Sequence, residues 1–400
     1  MNDAPPEALP DYILNARRDC PEPLQAARAL RPLIEAHAAE GVRLGYVPDA
    51  VIQALCESGL WGLKVPRAFG GAEVDARTYI DVIEELSYAD GSTGWVVMAG
   101  GFAGGGAVGL GPSAVERIYG DARGLVSAAQ VSSLGKAERT DGGYRVWDGH
   151  FHFGSSSRYA SWFGGAFALY EDGKPLFNEA GRPKTIMCWT SRDKVLLKDN
   201  WDVLGLVATG SYDFDFVDQF IPDDWVSGLP GRRNIGAPIH AITVSIGHVA
   251  WALGVGQRAL DELQALAMRK RRFQRTTLID QSRFQLEFGR RLAAMRAARA
   301  LVHKAYDDWY EAAKQGPVGI EIRAQGRLAA CYATETALEV AQFAMFSSGS
   351  DGVRNRNGEN TLQRAFRDMQ AGATHRHIDQ DILIECTQVA LGVADPNLEL

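Results

Sequence analysis

The chain has 400 residues, of which 46% are apolar and 23% charged, with a formal net charge of −7. That length exceeds what one hydrophobic core usually serves, so more than one domain is expected. The acidic balance argues against a general nucleic-acid binder, which needs a basic surface, and against docking on anionic membranes.

The N-terminal "MNDAPPEALPDY" is acidic and Pro-rich, without the basic and apolar regions of a secretory signal. "PLQAARALRPLIEAHAAEG" then spaces apolar residues by three and four, predicting a helix closed by Gly41. Asp49 is placed to cap "AVIQALCESG", and "ARTYIDVIEELSYAD" repeats the helical pattern. Ser92 or Thr93 opens an uncharged stretch from Gly91 to Val115. It is long enough to span a bilayer, but crowded with glycine and without a Lys/Arg flank, so a tightly packed buried helix is predicted. These elements make an all-helical domain over residues 1–120.

From residue 121 the texture changes to short β-rich runs such as "GYRVWDGHFHFGSSS", "WFGGAFALY" and "YDFDFVDQF", separated by turn signals. They predict a β-barrel or sandwich domain over 121–231. After "GLPGRR" the helical rhythm returns, through Phe284, Phe288, Leu292, Met295, Val302, Tyr306 and Trp309 and again through Leu328, Tyr332, Thr336, Val340 and Ala344. Helices at 235–271, 277–315, 317–347 and 359–393 predict an antiparallel four-helix bundle over 232–400. The fold class is therefore α+β multidomain, in the order helical domain, antiparallel β-domain, helical bundle.

Several chemistries fail their context tests. "GVGQRA" at 254–259 imitates a dinucleotide fingerprint but lies inside a helical pattern with no strand before it. No phosphate-binding P-loop, nucleophile-elbow or HExxH sequence is present. His150 and His152 share a strand face and read as an exposed pair; His375 and His377 on a helix would point apart, so no metal site is expected. The five cysteines, Cys20, Cys56, Cys188, Cys331 and Cys386, are scattered and form no CxxC, a pattern of reduced thiols in a cytoplasmic protein.

Four segments in register carry a resemblance: "YADGSTGWVV" (88–97), "FHFGSSSRYASW" (151–162), "NWDVLGLVATGSYDFDFVDQFIP" (200–222) and "LQRAFRDMQAGATHRH" (362–377). With the domain order, they resemble the acyl-CoA dehydrogenase fold superfamily, and within it the two-component (group D) flavin-dependent monooxygenase branch that hydroxylates aromatics. Many dehydrogenases place a glutamate about eight residues after the Arg-Asp pair, where this chain has Arg376; the monooxygenase branch has a histidine at seven, and His375 fits that count.

The resemblance implies reduced FAD or FMN, supplied by a separate NAD(P)H-dependent flavin reductase, with O2 as co-substrate and a flavin C4a-hydroperoxide as oxygenating species. It implies Ser155 as partner of flavin N5, Phe153 against the ring, and His375 managing a proton near neutrality. Ser156 stands where relatives have glycine and either shapes the turn or meets flavin, while Ser157 reads as structural. Thr209 and Ser211 are candidates to meet flavin or substrate. Arg272 and Arg275 either bind flavin phosphate or form a solvated basic patch. Arg367 and Asp368 read as an internal salt bridge. Trp95, Phe102 and Ala103 are candidates for the substrate pocket; Ala103 replaces a phenol-contacting histidine, implying an apolar pocket and a fused aromatic such as an indole. A homotetramer in the cytoplasm is the expected assembly. The competing reading is a flavin-bound acyl-CoA dehydrogenase or related oxidase, and a third is a non-catalytic partner-binding member.

Overall fold

The computed structural model of the chain describes residues 8–106, 109–120, 124–179, 181–227, 236–271, 276–396 and 398. Helices α1 (Asp11–Leu14), α2 (Pro23–Leu44), α3 (Asp49–Ser58), α4 (Ala76–Ala89), α5 (Gly91–Gly106) and α6 (Pro112–Val115) come first. Helix α2 runs past Gly41 and ends at Gly45, whose φ of 78° is the left-handed cap that glycine adopts without strain. Gly41 is buried inside the helix instead. Asp49 sits in the first turn of α3 after Pro48 and makes no capping bond. Helix α5 is opened by Asp90, not by Ser92 or Thr93: its carboxylate accepts from the Thr93 amide at 2.9 Å and the Thr93 hydroxyl at 3.0 Å. The uncharged stretch thus forms α5 as far as Gly106, mostly buried from Gly91 to Gly100, with α6 a separate short helix at Pro112–Val115, and among the described residues no helix is long and apolar enough to cross a membrane.

The β-region contains β1 (Ser127–Thr140), β2 (Gly143–Trp147), β3 (Gly149–Phe151), β4 (Trp162–Glu171), β5 (Lys174–Pro175), β6 (Thr185–Ser191), β7 (Val195–Leu197), β8 (Phe214–Phe216), β9 (Gln219–Pro222) and β10 (Val226–Ser227). The larger sheet runs β10-β6-β4-β1-β2-β9 with β5 on β4, and the smaller runs β3-β8-β7. Pairing is antiparallel except between β1 and β4, which lie parallel. Phe151, Phe163, Phe167, Phe214 and Phe216 fill the space between the sheets.

The C-terminal helices are α7 (Ser245–Arg269), α8 (Ser282–Ala313), α9 (Ile320–Ser348), α10 (Ser350–Val353), α11 (Thr361–Gly372) and α12 (Gln380–Leu391). Helix α7 is buried from Ser245 to Gly256 and packs on both α4 and α9, joining the N-terminal and C-terminal helices in one apolar core. The helix expected over 359–393 is broken: α11 stops at Gly372, a short 3₁₀ turn follows at Arg376–Ile378, and α12 begins under the Asp379 cap.

The segment before β8 is tied to α11. Buried Asp368 accepts the Leu206 amide at 2.6 Å, and a Cβ on Gly205 would fall 1.9 Å from the Arg367 carbonyl, so only glycine permits this approach. Arg367 and Asp368 do not form the expected salt bridge; the ion pair is Arg364 Nε to Asp90 Oδ1 at 3.3 Å. Burial, with the Asp90 carboxylate beside it, pushes Asp368 up to about 7. Asp368→Ala strands the buried Leu206 N–H and is expected to cost about 1–3 kcal/mol in urea unfolding, with Asp368→Asn, which retains an acceptor, losing less.

Candidate active site

The turn after β3 is held in an uncommon backbone. Phe153 and Ser156 have φ of 60° and 70°, outside the range most side chains adopt. Asp213 accepts the Phe153 amide at 3.0 Å and His152 Nδ1 at 2.8 Å, fixing the turn from the β-side. Ser156 Oγ donates to the Val96 carbonyl of α5 at 2.8 Å and Ser157 Oγ to the Gly210 carbonyl at 3.2 Å. Both serines are fully buried. Ser156 thus anchors the turn to α5, and Ser157 ties it to the Gly210 backbone. The turn reaches α5 because position 100 is glycine, whose Cβ would lie 2.8 Å from Trp61 and 2.9 Å from Ser156 Oγ.

Ser155 alone of the three faces open space. Its Oγ accepts from Trp95 Nε1 at 2.9 Å and lies 3.1 Å from Ser211 Oγ. Two adjoining cavities, of about 470 and about 520 Å³, share a wall made of Trp95, Gln130, Val131, Phe153, Ser155, His375 and His377. The first is closed further by Trp201, Leu204, Leu206 and the 371–377 segment; the second by Met98, Ala99, Ala129, Met187, Trp189 and the 240–244 segment with His248. Phe153 is 62% exposed and meets Trp201 edge-on at 6.0 Å. The other rings around the serines are spent elsewhere: Phe151 in the β-core, Tyr159 on the Val47 carbonyl, Trp162 on the Gly124 carbonyl.

Thr209 and Ser211 border the first cavity, but their hydroxyls are committed behind Ser155: Thr209 Oγ1 to the Leu206 carbonyl at 2.8 Å and to Ser211 Oγ at 2.8 Å. Arg272 and Arg275, and the side chains of Phe102 and Ala103, lie outside the described residues.

The helix break at Gly372 changes what the histidines do. His375 and His377, expected to diverge, stack at 5.4 Å, and His248 of α7 lies 4.0 Å from His375 and 6.2 Å from His377. Trp95 packs edge-on against His248 and His375. Among the described residues no group of His, Cys, Asp and Glu could hold a metal. His248 is the residue sequence reasoning missed, since "SIGHVAW" reads as one more buried helical stretch. His240 and His248 also line the second cavity. His248 Nδ1 donates to the Val244 carbonyl at 3.1 Å, and no hydrogen-bond partner serves its buried Nε2.

Burial pushes the imidazoles down, His375 to about 4 and His377 to about 3, with Arg327 adding to both and Asp379 partly opposing at His375. His248 is driven down by burial and by its two neighbours. The cluster is thus neutral at pH 7, not poised near it. The His377 amide donates to His375 Nδ1 at 3.3 Å, so the neutral ring carries its proton on Nε2.

Residues 25–112 match the acyl-CoA dehydrogenase N-terminal domain and residues 246–380 its C-terminal domain. The chain belongs to the acyl-CoA dehydrogenase superfamily. It is 28% identical to the indole-3-acetate monooxygenase of Pseudomonas putida, over 83% of this chain and 84% of that one. It is 25% identical to the flavin-dependent monooxygenase oxygenase subunit HsaA of Rhodococcus jostii, over 90% and 95%. The 3-HSA hydroxylase structure from Rhodococcus sp. RHA1 superposes with a TM-score of 0.84 at 25% identity, covering 94% of this chain and 98% of that one. XiaF from Streptomyces sp., solved with FADH2 and glycerol, superposes at 0.83 with 24% identity, covering 94% and 96%.

The neutral cluster has a measurable consequence. An unfolded imidazole titrates near 6.5, whereas folded His375 does so near 4, so acidification between these values protonates only the unfolded chain. The stability this contributes is complete above pH ~6.5 and is lost as pH falls towards ~4. His375→Asn, which retains an acceptor for the His377 amide, is expected to flatten the fall in thermal midpoint across that window; an unchanged slope would contradict the depressed value.

Proposed function

We propose that this chain is the oxygenase component of a two-component, reduced-flavin-dependent monooxygenase that inserts one atom of O2 into a small aromatic or heteroaromatic substrate. One observation carries the reading. Among the described residues, the lining of both cavities holds hydroxyls, imidazoles and aromatic rings, but no Asp or Glu. Acyl-CoA dehydrogenation needs a carboxylate base for the α-proton, and none stands here.

A flavin fits what is present. Phe153 and Trp201 offer exposed aromatic surface for a flat ring, and Ser155 keeps hydrogen-bonding capacity directed into the space between the cavities. Bound as FMN or FAD in its reduced form, the cofactor supplies the electrons that activate dioxygen. Phe153 and Trp201 would hold the ring and shield it from water, which strengthens every hydrogen bond inside. Ser155 would offer the ring a hydrogen-bonding hydroxyl. His375, neutral with its proton on Nε2, offers a donor without bringing a charge into the apolar site. The second cavity, with Met98, Ala99, Ala129 and Ile242, takes the substrate ring, and His248 and His240 supply its polar contacts. An indole-like substrate is the reading favoured by the fused-ring size, the small apolar lining and the indole-3-acetate relative.

The reductant comes from a separate NAD(P)H-dependent flavin reductase, a reading supported by the HsaA relative's being named an oxygenase subunit. A homotetramer in the cytoplasm is the proposed assembly; exposed Phe346, Leu286 and Tyr332 on the bundle surface and five buried, unpaired cysteines support it.

The test mixes anaerobic protein and reduced FMN or FAD with oxygenated buffer. An absorbance phase unlike either reduced or oxidised flavin, preceding oxidised flavin, is expected. Oxidation at the rate of free flavin would overturn the proposal, as would tight co-purification of oxidised FAD that acyl-CoA bleaches. Ser155→Ala should shorten that phase by about tenfold or more, the scale of one lost hydrogen bond in a dry site.

A further inference from the structure

Strand β6 divides its side chains between two environments. Ile186 and Cys188 belong to the core between the sheets, while Met187 and Trp189, on the other face, pack with the apolar core of the helices. The residue paired with Trp189 on β4 is Gly164. A Cβ there would fall 2.6 Å from Met187 Cε and 3.1 Å from the Trp189 indole, so the missing side chain is what lets both lie close over the strand. The indole is buried, and among the described residues its Nε1 has no hydrogen-bond partner.

Trp189 borders two spaces at once. It lines the second cavity, of about 520 Å³, beside Met98, Ala99 and Met187. It also lines an outer groove of about 630 Å³, with Ser161, Trp162 and Trp225. Among the described residues it is the only one common to both walls. A buried indole N–H without an acceptor costs stability that a phenylalanine would not, so hydrogen bonding does not account for this side chain. What the indole contributes is breadth.

We propose that Trp189 is the partition that sets the length of the second cavity, and with it the largest aromatic substrate the site admits. The inference rests on the reading that this cavity takes the substrate ring. An aromatic that fits within the cavity exchanges water for apolar contacts. A longer one meets the indole, and overpacking penalises it. Behind the indole the groove carries Arg117, Arg192 and Lys194, charged groups that favour a hydrated space. The partition therefore also keeps that water from the substrate's side. Its position is adjustable from beneath, because Gly164 decides how far Met187 and the indole stand off the strand.

The experiment measures binding of pyrrole, indole, carbazole and a benzocarbazole, a series of growing ring count with one N–H each. Equilibrium dialysis against the full-length protein, with and without oxidised flavin, gives the affinities. Affinity is expected to rise with ring count and then fall at the first member too long for the cavity. Trp189→Ala should strengthen that member about tenfold while indole stays within about threefold. Gly164→Ala drives Met187 and the indole into the cavity and should weaken the largest member otherwise bound, again about tenfold. Thermal unfolding reports folding separately, and if Trp189→Ala does not fold, Trp189→Phe and Gly164→Ala decide. Affinity that climbs through the whole series in the unmodified protein, or the same cut-off in folded variants, would overturn the partition. If the unmodified protein bound no member, with flavin or without, the substrate reading of the cavity would fall, and the partition with it.

Discussion

The contact on which the site depends is the seating of one β-domain turn against one buried helix. Ser156 gives its hydroxyl to the Val96 carbonyl, Trp95 one residue earlier gives its indole N–H to Ser155, and Gly100 leaves room for both. Two non-glycine residues in left-handed backbone cost of order 1–3 kcal/mol each, and such strain persists only where surrounding bonds over-determine it. Here Asp213 on one side and α5 on the other supply those bonds. Ser155 is consequently fixed in direction although it sits on a turn.

A second constraint comes from the opposite face. Asp368 clamps the Leu206 segment to α11, and four residues later that helix ends against Trp251, where a side chain on Gly372 would fall 2.2 Å from the indole. The chain then turns tightly enough to bring His375 and His377 together over His248. The same burial acts with opposite sign on the two kinds of group. It lifts the Asp368 carboxyl to about 7 and lowers the His375 imidazole to about 4, because in each case the charged form is the one disfavoured. The His375 and His377 imidazoles are therefore uncharged at neutral pH.

The layout of helices, strands and helices was legible because periodicity of 3.6 and 2 reports burial along each element, and burial dominates which elements form. Ser155 and His375 could be picked out because they sit in segments whose spacing matches a family pattern. His248 could not: a histidine on the buried face of an apolar helix carries no local mark of function. The roles of Ser156, Thr209 and Ser211 were equally hidden, since a hydroxyl in a turn looks the same whether it faces a cavity or another hydroxyl. The break in the last helix was missed because "GATHRHIDQD" contains no proline and keeps a serviceable helical pattern; the packing of Gly372 on Trp251 ends the helix there.

What the sequence by itself determined is the family, the order of the layers and the absence of a carboxylate at the position where a dehydrogenase of this fold carries one, all properties of residue type at fixed spacing. The tertiary structure alone decided which hydroxyl of the triple serine is available, which histidines meet and that they stay neutral. Those depend on contacts between segments 60 to more than 120 residues apart, such as Trp95 with Ser155 and His248 with His375. Distance through space and the loss of water around a group are not encoded in local sequence pattern, and both the direction of a hydrogen bond and the charge of an imidazole are set by them.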